Sequence, residues 1–269
     1  MLANAYSLNK ARQHWRTPKG EIIYAIGDIH GRDDLLDALL RQIYQDISTY
    51  RADKIVTLVF LGDYVDRGLG SRAVIERLWR QQKEGDTVGV VNRFIHLRGN
   101  HEDMLLRYIE NPVFGEGWLM NGGTETLISY GVDAPISFRN HAEQNITAES
   151  LKAALGVGHF AFLRSLPTHA IIGDYAFVHA GFRPGIPIDA QSRNDMLWIR
   201  QSFLKDEDAM DKRVVHGHSP DTNPFVDHRR IGVDTGAFFT GILTAVRLED
   251  DTVKFLQTEE GLHPVHMSI

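Results

Sequence analysis

Leu61-Gly62-Asp63-Tyr64-Val65-Asp66-Arg67-Gly68 is the stretch on which the reading of this chain turns. It follows Ile55 to Leu61, an apolar run bounded by charge, which is the pattern of a strand buried on both faces. Gly62 lets the backbone turn, and Asp63 stands at the carboxyl end of the strand, the edge where open α/β sheets hold their ligands. One Asp after Gly is an ordinary turn. Here the construction recurs. Ile22 to Ile26 leads into Gly27-Asp28-Ile29-His30-Gly31, and Phe94 to Leu97 leads into Arg98-Gly99-Asn100-His101-Glu102. Each is followed by a helical pattern, so Asp28, His30, Asp63 and Asn100 fall along one rim of one sheet. Oxygen and imidazole donors converging there suit a pair of divalent ions.

Composition narrows the class. At 269 residues, 43% hydrophobic and 24% charged, the chain suits one globular α/β domain. It has no cysteine, which excludes disulfides and thiolate metal sites. No apolar run reaches membrane-spanning length and no leader pattern is present, so the expectation is a cytoplasmic protein with no membrane partner. A net charge of −6 argues against nucleic-acid binding. It leaves a phosphorylated substrate open, because charge at a metal site can oppose the global sign.

Residues 1–20 read as a polar arm, with Arg12, Arg16 and Lys19 in solvent. Leu35, Leu36, Leu39, Leu40, Ile43 and Ile47 form one helical stripe after Gly31. A second helix is expected over about Ser71 to Lys83 and a third from near Glu102 to before Pro112, so the order to residue 110 is β-α-β-α-β-α. From 113 to 166 the pattern is a helical elaboration covering the sheet edge. Within it lies a polar segment, Gly131 to Ser150, whose long loop is a candidate for mobility. Strand character returns at Ala170 to Val178, ending in His179-Ala180-Gly181. A short helix follows near Met196 to Leu204, then Arg213 to Val215 leading into His216-Gly217-His218. Three strand-like stretches close the chain between Ile231 and Gln257.

With these residues in order, G-D-x-H-G, G-D-x-V-D-R-G, G-N-H-E, H-A-G and a later G-H, the chain resembles the phosphoprotein phosphatase family of metallophosphoesterases, in its bacterial and phage-type branch. The motifs run from residue 27 to residue 218. The resemblance implies a single domain over 1–269 built as a β-sandwich of mixed sheets flanked by helices. It also implies two divalent ions per chain, manganese first, with Fe, Zn or Co compatible with mixed oxygen and nitrogen ligands. Asp28 and His30 would bind the first ion, Asp63 would bridge, and Asn100, His179 and His218 would complete the second site. A water shared by the ions would attack phosphorus, His101 would protonate the leaving oxygen, and Asp66 would hold the His101 ring. Arg67 and Arg200 would grip phosphate together with Asn100, with Arg193 and Arg183 competing for the place of Arg200.

The same residues admit plainer roles. Gly-Asp and Gly-Asn turns are common helix caps, and only their threefold alignment argues for a site. His216 and His218 compete for one ligand position; the family pattern favours His218. His96 reads as a hydrogen-bonded core residue. Glu102 could serve the helix N-terminus or a site residue. Trp118, Asn121, Gly122 and Gly123 could border the site or simply pack. The function expected first is dephosphorylation of phosphoserine and phosphothreonine in proteins or peptides. The alternative is hydrolysis of diadenosine tetraphosphate or related nucleotides. Asp66 favours the first, since the nucleotide branch often replaces that residue.

Overall fold

The computed structural model describes residues 15–137, 140–206 and 210–258. Two five-stranded sheets stack face to face. One has the order β10-β9-β1-β2-β3 and the other β4-β5-β6-β8-β7. The strands are β1 Glu21–Ile26, β2 Ile55–Phe60, β3 Arg93–His96, β4 His169–Ile172 and β5 Tyr175–Val178, then β6 Arg213–His216, β7 Phe225–Val226, β8 Arg230–Gly232, β9 Thr244–Glu249 and β10 Thr252–Gln257. The helices that matter for the site are α1 Asp33–Tyr50, α2 Ser71–Glu84, α3 Asn100–Glu110, α4 Gly115–Trp118, α5 Thr124–Ser129 and α6 His141–Ser165.

Burial explains why β1 and β2 read as unbroken apolar runs. Ile22, Tyr24, Ile26, Val56, Leu58 and Phe60 pack against the helical layer with Leu35, Leu36 and Val74. Ile23, Ala25, Val59 and Leu61 point the other way, onto Tyr175, Phe177, Val215 and Ile231 of the second sheet. A strand covered on both faces has no polar side to alternate with. The outer face of the second sheet is covered in turn by Met196, Ile199 and Phe203, giving α/β/β/α layers.

Register then sets the site. β1, β2 and β3 are parallel, with Ile26 opposite Phe60 and Phe60 opposite His96. Their carboxyl ends are therefore level, and the three motif loops leave from one edge. β5 and β6 are also parallel, with Phe177 opposite Val215, so His179 and His218 emerge side by side. The site draws on both sheets rather than on one rim.

Two expectations need correction. Of the polar segment 131–150, the part from His141 onward is helix, α6, which bends at Gly156 where φ is +63°; the connecting stretch is shorter than the sequence suggested. In the N-terminal arm, Arg16 and Lys19 are exposed, but Trp15 and Thr17 are buried. Trp15 joins the core between the sheets, and its Nε1 donates to the His228 carbonyl at 2.6 Å. Arg12 lies outside the described residues.

Candidate dinuclear metal site

Asp63 is the hub. Gly62 turns the chain at φ +103°, where an added Cβ would lie 2.5 Å from the Gly99 nitrogen, so the second and third motif loops can touch only through glycine. Asp63 itself is at φ +53°. Its Oδ2 lies 3.4 Å from His30 Nε2, and its Oδ1 lies 3.4 Å from His179 Nε2. Two triads of donor atoms share it, His30–Asp63–His101 and Asp63–His179–His218, each within 4.8 Å. Burial opposes the Asp63 charge, but the imidazoles of His179, His101, His30 and His218 outweigh it and hold the carboxyl below its usual range.

The other ligand candidates close around this hub. His30 Nδ1 is 2.9 Å from the Val65 carbonyl, and His179 Nδ1 is 3.0 Å from the Leu61 carbonyl. In the tautomer that donates these bonds, each ring turns its Nε2 lone pair inward, as a metal ligand requires. Asn100 Oδ1 sits 2.8 Å from His179 Nε2. Burial lowers His179, and it takes His218 down to about 2, so both rings are neutral and able to ligate at neutral pH. His216 is turned away, with Nε2 3.1 Å from an Arg230 nitrogen, and burial takes it down to about 3.

Asp28 is near these groups but outside both triads; its carboxylate accepts from the His218 backbone N–H at 3.1 and 3.2 Å. Burial raises the Asp28 carboxyl well above the usual range, and the Asp234 and Asp63 carboxylates raise it further. Asp234 is pushed up to about 6, by burial first. Three crowded carboxylates in a dry pocket are an arrangement that cations stabilise. With neutral imidazoles on either side, the donor set fits two divalent ions of borderline character.

His101 falls in the first triad by distance, yet its partners argue against ligation. Its Nδ1 bonds Asp66 Oδ2 at 2.7 Å. Burial disfavours the charged ring, but the carboxylates of Asp63 and Asp66 outweigh it and raise the pKa. An imidazolium has two donors and no lone pair, so His101 is disposed to give a proton rather than hold a metal. Arg67 Nη2 lies 3.3 Å from His101 Nε2, so a guanidinium and a proton donor converge on one point. An anionic oxygen there would satisfy both.

The three arginines differ in their contacts. Arg183 is held by Asp195, at 2.8 and 2.5 Å, and Arg193 pairs with Asp103. Arg200 instead donates from Nε to His218 Nε2 at 3.1 Å, which brings it to the site.

Supporting residues came less readily from the sequence. Glu102, which the motif left between two roles, is fully buried and accepts four backbone N–H groups. These are Gly99 and Asp63 at 2.8 and 2.9 Å on Oε2, and Tyr64 and Val65 at 2.7 and 3.3 Å on Oε1. It fastens the Asp63 turn to the start of α3. Asp66 accepts from Thr126 Oγ1 at 2.6 Å and Trp118 Nε1 at 2.9 Å, and the Gly122 carbonyl accepts from Arg67 N at 3.0 Å. The helical elaboration therefore buttresses the His101–Asp66 pair as well as covering the sheet. Asn121 bonds the Gly117 carbonyl within its own turn. His96 is buried and stacked on Phe60 at 5.0 Å, but its Nε2 has no hydrogen-bond partner, contrary to the bonded core role expected of it. Asp234 and Phe238, both beside the site, were not singled out. Their loop joins β8, which pairs with β6, to β9, which pairs with β1, and both pairings carry it to the site.

A buried carboxylate shared between two imidazole-lined donor sets, with the His101–Asp66 pair and two arginines beside it, fits a metal-centred phosphoester hydrolase site. Residues 22–239 match the calcineurin-like phosphoesterase model, and the chain belongs to that family, whose members use a dinuclear metal site. It is a metal-dependent phosphoesterase. Bis(5'-nucleosyl)-tetraphosphatase PrpE (asymmetrical) of Anoxybacillus flavithermus is 26% identical over 87% of this chain and 93% of its own length. The protein of the same name from Bacillus velezensis is 27% identical over 85% and 90%. The cold-active protein-tyrosine phosphatase of a psychrophilic Shewanella superposes with a TM-score of 0.52 at 18% identity, covering 90% of this chain and 83% of the other. That likeness concerns the fold. The two sequence relatives bear a nucleotidase name, whereas the motifs pointed first to the protein-phosphatase branch. Among the described residues no helix is long and apolar enough to cross a membrane.

Proposed function

We propose that this chain hydrolyses dinucleoside polyphosphates, with bis(5'-nucleosyl)-tetraphosphate cut unequally as the model substrate. The observation that carries the reading is near full-length similarity to two enzymes of that name, in a chain where two candidate donor triads share Asp63. Asp28 and His30, with Asp63 shared, would hold one divalent ion; Asp63, Asn100, His179 and His218 would hold the other. Bound there, the ions supply Lewis acidity and make a water nucleophilic at neutral pH. Arg67 and Arg200 bind phosphate oxygens from two sides and turn the scissile phosphorus toward that water. The water oxygen would form the new bond to phosphorus as the bond to the leaving nucleotide breaks, and the proton that water loses would pass to solvent. His101, its ring fixed by Asp66, is positioned to donate a proton to the departing oxygen.

Dephosphorylation of phosphoserine or phosphothreonine is the second reading, and the His101–Asp66 pair favours it. A seryl oxygen is strongly basic and needs a proton to leave, whereas a nucleotide leaves as a weakly basic phosphate anion. The deciding experiment compares diadenosine tetraphosphate with phosphoserine, phosphothreonine and phosphotyrosine peptides, with Mn²⁺ and with chelator. Higher kcat/KM on the dinucleotide, abolished by chelator, is the expected result. Preference for a phosphopeptide would overturn it.

A further inference from the structure

We infer that the Phe238–Phe239 pair is a shelf on which a nucleobase of the substrate stacks. The inference rests on the dinucleotide reading and assigns it a specificity element. The turn carrying the pair is rigid. Gly236 and Gly241 bracket it in left-handed conformations at φ +66° and +75°. Thr240 Oγ1 donates to the Thr235 and Gly236 carbonyls at 2.9 and 3.0 Å, and Thr235 Oγ1 donates to the Ile242 carbonyl at 2.8 Å.

The two rings continue the site outward. Phe238 meets the His30 ring edge-on at 5.6 Å, and the Arg67 guanidinium carbon lies 4.5 Å from its centroid. Phe239 stands edge-to-face on Phe238 at 4.9 Å. It is nonetheless 61% exposed, although Ala237 in the same turn is buried. A Cβ on Gly236 would collide with the Phe239 ring, so this ring is backed by the turn on one side while staying open to solvent. The order His101, Arg67, Phe238, Phe239 thus runs from a proton donor through a phosphate-binding cation to an exposed aromatic plane. A ligand with phosphate at one end and a flat heterocycle at the other matches that order; a phosphoserine side chain offers no such plane. Stacking of this kind tolerates different bases, because every base has a π-face.

The test uses the Mn²⁺-loaded full chain and Phe239→Ala, Phe239→Leu and Phe239→Trp, with diadenosine tetraphosphate, diguanosine tetraphosphate and inorganic tripolyphosphate. Removing the ring should lower kcat/KM for both dinucleotides, relative to tripolyphosphate, by about tenfold, with the loss carried by KM. Leu should fail to restore the ratio and Trp should restore it. An unchanged ratio in Phe239→Ala, or full rescue by Leu, would overturn the shelf. Calorimetric binding of ADP against pyrophosphate separates this failure from failure of the proposed function. A wild type inactive on dinucleotides that still prefers ADP, and loses the preference in Phe239→Ala, sinks the function and keeps the shelf. No preference for ADP sinks the shelf.

Discussion

Replacing Glu102 with glutamine should destabilise the chelator-treated protein by about 1 kcal/mol, although no residue changes size. The carboxylate receives two backbone N–H groups on each oxygen, Tyr64 and Val65 on one, Gly99 and Asp63 on the other. An amide keeps one acceptor oxygen and turns an NH₂ group toward the second pair of donors. Two buried N–H groups are then left without acceptors, at about 1–3 kcal/mol each, or roughly 4 kcal/mol together. An opposing effect is relief of charge crowding, since burial and then the Asp63 carboxylate push Glu102 up to about 7. A rise from 4.5 to about 7 makes that relief about 3 kcal/mol, which leaves a net loss of about 1 kcal/mol. At about 2–4 °C per kcal/mol for a chain of this size, the midpoint should fall by about 2–4 °C in a thermal melt. Because either orientation of the amide loses at least one bond to the turn from Asp63 to Val65, Mn²⁺ binding measured by calorimetry should weaken as well. A melt at or above the wild-type midpoint would refute the claim that Glu102 fastens this turn.

The remaining expectations separate metal, acid and core. Asp63→Asn should abolish turnover together with metal content measured by elemental analysis, whereas His101→Asn should lower kcat with metal retained; near-normal turnover in either would count against the assignment. In chelator-treated protein the His101 ring, followed by NMR, should titrate above its ordinary value, because Asp63 and Asp66 outweigh burial. That pair's contribution to stability is full below the unfolded histidine pKa and is lost as pH rises through the folded value. Asp66→Asn should bring the ring's pKa down, and no change would remove Asp66 from its role. His96, which burial takes down to about 3, contributes stability above about pH 6.5 that is lost as pH falls. His96→Leu should therefore flatten the denaturation free energy between pH 6 and 4 by about 1.4 kcal/mol per pH unit. An unaltered slope would mean that another group dominates acid unfolding.

What could be read in the chain beforehand was whatever repeats locally. Gly27-Asp28, Gly62-Asp63 and Gly99-Asn100 each end an apolar run, and parallel register then brings them level without further information. The α1 stripe is a period, and periods survive folding. The supporting residues are long-range and carry no such mark. Glu102 could be read two ways because three of its four donors come from a loop nearly forty residues earlier. Thr126 and Trp118 reach Asp66 from a segment whose sequence holds no ligand pattern. Trp15 looked like part of a solvated arm because its neighbours Arg16 and Lys19 are exposed, and one buried ring between charges has no periodicity to reveal it. Asp234 and Phe238 come to the site because β8 pairs with β6 and β9 pairs antiparallel with β1.

Backbone strain shows how these two kinds of residue depend on each other. Seven described residues other than glycine have positive φ, and five are at the site: His30, Asp63, Asp66, Arg67 and His218. Each such conformation costs on the order of 1–2 kcal/mol, so a free loop would relax out of it. In each of the five the backbone N–H is held. His30 N donates to Asp63 O at 2.8 Å and Asp63 N to Glu102 at 2.9 Å. Asp66 N donates to Thr126 Oγ1 at 2.9 Å, Arg67 N to Gly122 O at 3.0 Å and His218 N to Asp28 at 3.1 Å. Three of these acceptors, Glu102, Thr126 and Gly122, come from outside the expected ligand and phosphate-binding set. The motifs therefore specify which chemical groups are present, while those three hold the chain in the conformations that aim them. Any family member that keeps the motifs but loses such an acceptor should keep its donor atoms and lose their alignment. Metal affinity would then fall before the fold does.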